Sequence, residues 1–208
     1  MSHYFDPEPP GPSDERRVEV VLPDVSFTMT TDRGVFSHGR LDTGTALLLR
    51  TAPTPAPSGD LLDLGCGAGA IALTLAQRSP GATVLAVDVN ARARELCARN
   101  AAALGLANVV VAAPDDVDPD IRFSTIWSNP PIRIGKPALH DLLATWLGRM
   151  TNDGSAVLVV QRHLGADSLH RWLEQQGHVV ERVASRAGFR VLRVATLRGQ
   201  SNAKPAQV

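Results

Sequence analysis

Beyond residue 60 the chain alternates short apolar runs with longer helix-like segments. The runs Leu61–Leu64, Thr83–Val87, Val109–Ala112, Phe123–Ser128 and Ala156–Gln161 predict short buried strands. Between them, Ala70–Arg78, Ala91–Leu104, Ala138–Met150 and Asp167–Gln176 predict helices. This alternation predicts an α/β fold, a mostly parallel sheet with helices on both faces. Two further strand-like runs, Val179–Val183 and Phe189–Thr196, have only the turn Ser185-Arg186-Ala187-Gly188 between them. If they pair directly they are antiparallel, because a parallel pair needs a long crossover.

The front of the chain reads differently. Arg17–Leu22 and Val25–Thr30 alternate about Pro23-Asp24 and predict a small β-hairpin. A Gly34-Val35-Phe36-Ser37 turn follows, and then Asp42-Thr43-Gly44-Thr45 precedes Ala46-Leu47-Leu48-Leu49 as the cap of a short helix. The proline-bearing stretch Thr51–Gly59 is a linker or tight loop. The expected organisation is a flexible leader over 1–15, a hairpin and short helix packed on the core over 16–58, the main α/β domain over 59–198, and a flexible tail over 199–208.

Composition narrows the class of protein. With 208 residues, 44% hydrophobic and 20% charged, the chain can bury one substantial core. No run approaches a membrane span, and the polar, proline-rich start does not resemble a secretory leader. Cys66 and Cys97 lack metal-ligand spacing and read as reduced thiols of a cytoplasmic protein. None of the six histidines forms a ligand pair, so no metal is expected. The formal charge of zero departs from the basic excess usual in nucleic-acid binders, although a local basic face remains compatible with it. Among the 21 basic residues only Lys136 and Lys204 are lysine, a bias that looks genomic and draws attention to Lys136 beside the proline loop.

Two local patterns carry chemistry. In Asp63-Leu64-Gly65-Cys66-Gly67-Ala68-Gly69 the glycines end a buried strand and open a helix. Glycine permits positive φ and close ligand approach, and the helix amino end suits a phosphate or the carboxylate of an amino-acid moiety. The G-x-G-x-G spacing differs from the G-x-G-x-x-G of a dinucleotide dehydrogenase. Asp88 ends the next strand, where a carboxylate can accept both hydroxyls of a ribose or merely cap the following helix. Asp115 and Asp116 follow the third strand, where one of them could meet an adenine amino group; the sequence does not choose between them.

The second pattern is Asn129-Pro130-Pro131, about sixty residues after the glycine loop and at the end of an apolar strand. A conjugated amino group is a poor nucleophile because its lone pair is delocalised. Two acceptors aimed at its hydrogens localise that pair and stabilise the charge that develops on transfer. The Asn129 amide oxygen and the Pro130 carbonyl could provide both, on a loop that the prolines stiffen. Alone, an Asn-Pro-Pro sequence is only a turn; after a strand and downstream of the glycine loop it reads as catalytic.

These motifs resemble the S-adenosylmethionine-dependent methyltransferases of the Rossmann-like class. Within them the chain is similar to the small methyltransferase domain of ribosomal RNA small subunit methyltransferase C, a guanine N2-methyltransferase, and to shorter single-domain relatives. The similarity runs from about Val18 to Val194 and includes Gly34-Val35-Phe36-Ser37, Leu41-Asp42-Thr43-Gly44, Asp63–Gly69, Asp88-Val89-Asn90, Ser128–Pro131 and Gln161-Arg162. The resemblance implies seven strands with a reversed final hairpin and S-adenosyl-L-methionine as cofactor. It implies cofactor contacts at Asp63, Gly65, Cys66, Gly67, Gly69, Asp88, Val89, Asp115, Asp116 and Asn129. It assigns catalysis to Asn129, Pro130 and Pro131, and substrate contacts to Phe36, Asp42, Ile132, Arg133 and Lys136. Larger members carry an aromatic after the second proline that stacks on the target base; here Ile132 stands there. They also carry an additional substrate-recognition half.

The function expected is methyl transfer to an exocyclic amino group, guanine N2 of small-subunit ribosomal RNA first. The partner is then ribosomal RNA or the small ribosomal subunit, docked through the leader hairpin, Arg133, Lys136 and arginines of the final hairpin such as Arg186 and Arg190. Alternatives using the same acceptor loop are a protein glutamine amide, an adenine amino group or a small molecule. A relative that binds RNA without catalysis is the rival from another class.

Overall fold

A computed structural model describes residues 12–36 and 38–196. Most of the leader expected before residue 16, the tail expected over 199–208, and Ser37 of the glycine turn lie outside the described residues.

Strands β1 (Arg16–Val21) and β2 (Ser26–Thr31) form an antiparallel hairpin. Helix α1 (Thr43–Thr51) follows, and then the alternating body begins. It comprises β3 (Ser58–Leu64), α2 (Ala70–Arg78), β4 (Gly81–Val87), α3 (Ala91–Ala103), β5 (Val109–Ala112) and β6 (Phe123–Ser128). It continues with α4 (Lys136–Leu147), β7 (Met150–Gln161), α5 (Ala166–Gln175), β8 (His178–Arg186) and β9 (Phe189–Thr196). The main sheet has seven strands in the order β5-β4-β3-β6-β7-β9-β8. Pairings from β5 to β7 are parallel, and β9 is antiparallel to both β7 and β8.

Alternating side chains divide the core between the two faces of the sheet. Leu61, Val84, Ala86, Trp127, Val157 and Val191 pack with α1, α2, α3 and the inward residues Val18, Val20, Phe27 and Met29 of the hairpin. Leu62, Leu85, Val87, Ile126, Leu158 and Val194 pack with Leu143 and Trp146 of α4 and Leu169 and Leu173 of α5. The hairpin therefore shares the core of the main body. Asn100 of α3 fastens it further: its side chain donates to Thr30 O (2.8 Å) and Ala68 O (2.9 Å) and accepts from Thr30 N (2.8 Å).

Several boundaries differ from the sequence expectation; β3, for one, begins at Ser58, inside the expected linker. Helix α4 starts at Lys136 and ends at Leu147, because Pro137 fits the first helical turn and Gly148 closes the last. Strand β7 starts at Met150, which pairs with Phe123 before a shift in register brings Ser155 opposite Thr125. The polar segment Thr151–Gly154 in that irregularity masks the strand from a hydrophobic-run criterion. Strand β8 extends to Arg186 across a break in register between Arg182 and Ala184.

From β3 the chain winds outward through β4 to β5, then returns to β6 on the other side of β3 and proceeds to β7. The carboxyl ends of β3 and β6 thus lie side by side where the winding reverses, the usual place for a ligand crevice in an open α/β sheet.

Candidate active site

A cavity of about 330 Å³ opens at that reversal. Its walls include Gly65, Gly67, Asp88 and Val89 from the ends of β3 and β4, Asn129–Arg133 after β6, Phe36 and Asp42 from the front of the chain, and Gln161 and Phe189 from β7 and β9. A smaller adjoining recess of about 40 Å³ is lined by Cys66, Ala68, Thr45 and Asn129.

The glycine loop has the backbone that its sequence predicts. Gly65, Gly67 and Gly69 all have positive φ, 78°, 53° and 99°. Gly65 N and Cys66 N both donate to Val87 O, at 2.8 and 3.0 Å, which pins the loop to the end of β4. At Gly69 a Cβ would lie 2.8 Å from Cys97 Sγ, so space as well as φ demands glycine there. Cys66 and Cys97 are free and buried, and the Cys97 thiol beside Cys66, with burial, pushes the Cys66 thiol well above the usual range. Cys66 is therefore a neutral packing group under the loop.

Asp88 sits half-buried in the cavity wall. Its Oδ2 accepts from Gly67 N and its Oδ1 from Asn90 N, both at 2.9 Å. Burial pushes this carboxyl up, opposed by those two backbone bonds and by Arg94. Lone pairs on both oxygens remain for a diol. Asp63 is fully buried beneath the loop and is absent from the cavity lining. Its Oδ2 accepts from Ala72 N (2.9 Å), bracing the first turn of α2, while Oδ1 has no partner among the described residues. Burial, reinforced by Asp88, pushes the Asp63 carboxyl up to about 8. Asp115 and Asp116 fall in a 3-10 turn, Pro114–Asp116, of which only Pro114 lines the cavity; both acids are exposed.

The proline loop is held by a network of hydrogen bonds. Asn129 Nδ2 donates to Asp42 Oδ2 (2.9 Å) and to Thr45 Oγ1 (3.0 Å). A carboxylate can only accept, so the amide orientation is dictated by chemistry. Both amide hydrogens are committed, and Oδ1 is the remaining hydrogen-bonding atom of a side chain that lines the cavity. Asp42 Oδ2 also accepts from Thr45 N (2.8 Å), so one carboxylate caps α1 and orients Asn129. The Pro130 carbonyl accepts from Ile132 N (2.9 Å) across Pro131, whose φ of −74° and ψ of 74° form an inverse γ-turn. One lone pair of that carbonyl is left. Ser128 Oγ donates to Leu64 O at 2.6 Å and ties the two loops together at their base.

Of the residues assigned to substrate, Phe36, Asp42, Ile132 and Arg133 line the cavity. Lys136 is exposed at the start of α4 and outside the lining. Arg186 is exposed at the end of the final hairpin, whereas Arg190 is committed to an ion pair with Asp167 and is only 13% exposed. Arg190 is therefore withdrawn from the basic surface that the sequence suggested. Asn100 and Phe189 carry no motif of their own, Ser128 entered only as the first residue of the proline-loop motif, and the position of Thr45 three residues after a cap Asp hinted at its place.

The model of the Methyltransferase small domain family matches residues 26–193. The chain belongs to this family. YbxB of Bacillus subtilis is 34% identical over 194 residues, covering 92% of this chain and 96% of that protein. Ribosomal RNA small subunit methyltransferase C of Aeromonas hydrophila is 38% identical over 174 residues, covering 81% of this chain and 49% of that one. The solved T. thermophilus 16S rRNA methyltransferase RsmC, in complex with AdoMet and guanosine, superposes with a TM-score of 0.74 at 25% identity, covering 91% of this chain and 52% of that one. The chain thus spans about half the length of these ribosomal RNA methyltransferases. It is an S-adenosylmethionine-dependent methyltransferase. The features that fit the cofactor are a loop of three glycines open to close approach and a half-buried carboxylate two residues before the N-cap of α3. Among the described residues no group of three or more His, Cys, Asp or Glu could hold a metal ion, and no helix is long and apolar enough to cross a membrane.

Proposed function

We propose that this chain methylates the exocyclic amino group of a guanine in small-subunit ribosomal RNA. The observation that carries the reading is the Asn129 amide, fixed by Asp42 and Thr45 so that its oxygen is the atom left to accept. S-adenosylmethionine supplies an electrophilic methyl group on a sulfonium. Gly65 and Gly67 would admit its amino-acid portion to the backbone, and Asp88 would take its ribose hydroxyls. Asn129 Oδ1 and the free lone pair of the Pro130 carbonyl receive the two hydrogens of the acceptor amino group. The nitrogen lone pair is thereby localised and aimed. Positive charge growing on the nitrogen as it takes the methyl group would be met by these two fixed acceptors, and the displaced proton would leave to solvent afterwards. Exposed Arg133, Lys136 and Arg186 provide cations near the cavity mouth and the hairpin end for phosphates. The names and structure of the relatives support RNA as the acceptor class.

Labelled methyl transfer from S-adenosylmethionine to ribosomal RNA, isolated small subunits and protein extract tests this reading. Label is expected in RNA as N2-methylguanine, with Asn129→Ala abolishing it while cofactor binding by calorimetry is retained. Label confined to protein glutamine or to adenine overturns the guanine assignment. Full activity of Asn129→Ala overturns the mechanism.

A further inference from the structure

Position 132, directly after the second proline, is isoleucine, so the wall of the acceptor site there has no π-face. The cavity nevertheless contains two phenylalanines, Phe36 and Phe189. Phe36 belongs to the cofactor side: its Cβ lies 3.9 Å from where a Cβ of Gly67 would stand. Phe189 comes from the final hairpin. It opens β9, pairs with Gln161 at the end of β7, and lines the cavity together with Asn129, Pro131 and Ile132.

The Phe189 ring lies against Gly44. A Cβ there would lie 2.8 Å from Phe189 Cε1, 2.9 Å from Cδ1 and 3.0 Å from Asp42 Oδ2. Gly44 is buried in the first turn of α1 and shows no positive φ, so its backbone would accept alanine, a better helix former. The three nearest atoms that a side chain there would meet belong to the ring and to the Asp42 carboxylate. Gly44 thus seats the aromatic ring against the same turn that orients Asn129. The hairpin secures the ring from the other direction, since Gly188 O accepts from Arg162 N at 2.7 Å and Val191 is buried in the core.

We infer that Phe189 is the stacking wall for a planar acceptor ring, supplying the π-face that Ile132 lacks. A flat heteroaromatic ring resting on Phe189 would present its amino group to the acceptors after β6. Phe189 is then a specificity determinant that favours nucleobases over flexible amides. The inference rests on the guanine reading above and deepens it.

The test titrates guanosine, and separately N-acetylglutamine amide, into the full chain saturated with S-adenosylhomocysteine, followed by NMR. The variants are Phe189→Leu, Phe189→Tyr and Gly44→Ala, each checked for thermal unfolding and for S-adenosylhomocysteine affinity. Phe189→Leu, which keeps bulk but loses the π-face, is expected to weaken guanosine binding about five- to hundredfold, the range for one base stacked on an aromatic. Phe189→Tyr is expected to bind like the wild type, and all variants to hold S-adenosylhomocysteine unchanged. Gly44→Ala, by displacing the ring, is expected to move guanosine affinity in the same direction as Phe189→Leu. Equal guanosine binding by wild type and Phe189→Leu overturns the stacking role and leaves the guanine reading standing. A wild type that binds the glutamine amide and not guanosine overturns that reading and the wall together.

Discussion

Asp42→Ala separates two roles that the sequence cannot distinguish, contact with substrate and orientation of Asn129. In the structure a single oxygen of Asp42 accepts from Thr45 N and from Asn129 Nδ2, at 2.8 and 2.9 Å. Removing it takes away a helix cap, about 1 kcal/mol, which lowers Tm by roughly 2–4 °C in a chain of this size. It also removes a charge-assisted bond to the amide, about 1.5–3 kcal/mol. That bond, with the one to Thr45, is what disfavours a flipped amide presenting nitrogen to the acceptor. Its loss should lower kcat by about ten- to hundredfold, with S-adenosylmethionine affinity unchanged. Asp42→Asn is the control. The Asn oxygen can occupy the position of Oδ2 and keep both bonds at neutral strength, so kcat should fall by less than about tenfold. Steady-state kinetics of methyl transfer with both variants, beside thermal melts, provides the measurement. If Asp42→Asn is as damaging as Asp42→Ala and the loss lies in KM for the acceptor, Asp42 binds substrate directly and the orientation argument is refuted.

Two other predictions concern the glycine loop. Asp63, with its ordinary value of 3.8 raised to about 8 by burial, holds a proton in the folded chain that the unfolded chain releases. Its contribution to stability is complete below the ordinary value and declines as pH rises through about 8. Urea unfolding followed across that window should show wild-type stability decreasing with pH and Asp63→Asn decreasing less; parallel curves would contradict the neutral carboxyl. Gly69→Ala should destabilise by about 1–2 kcal/mol from left-handed backbone alone, plus the clash with Cys97 Sγ at 2.8 Å. Adding Cys97→Ala should recover the clash and leave the backbone cost, and strictly additive effects in denaturant titrations would exclude the contact.

Much of the fold was legible because strands and helices leave periodic marks. Pro137 and Gly148 relocated the ends of α4, and the polar Thr151–Gly154 hid the start of β7, because a register irregularity is a property of the partner strand as much as of its own sequence. The loop glycines could be assigned in advance because positive φ is a local demand. The support for Asn129 could not, since Asp42 and Thr45 are 87 and 84 residues away. Neither could the withdrawal of Arg190, which depends on where Asp167 of α5 comes to rest.

By itself the sequence determined the kind of layers, the glycine loop and the place of the proline loop after a strand, since each depends on residues adjacent in the chain. It also determined that the last two strands are antiparallel if they pair, because their connection is too short for a crossover, and the structure shows that they pair. The tertiary structure alone decided that β9 lies between β7 and β8, which brings Phe189 to the rim of the β3–β6 crevice and onto Gly44. It also decided which way the Asn129 amide faces, because that orientation belongs to a hydrogen-bond network among residues that only folding brings together.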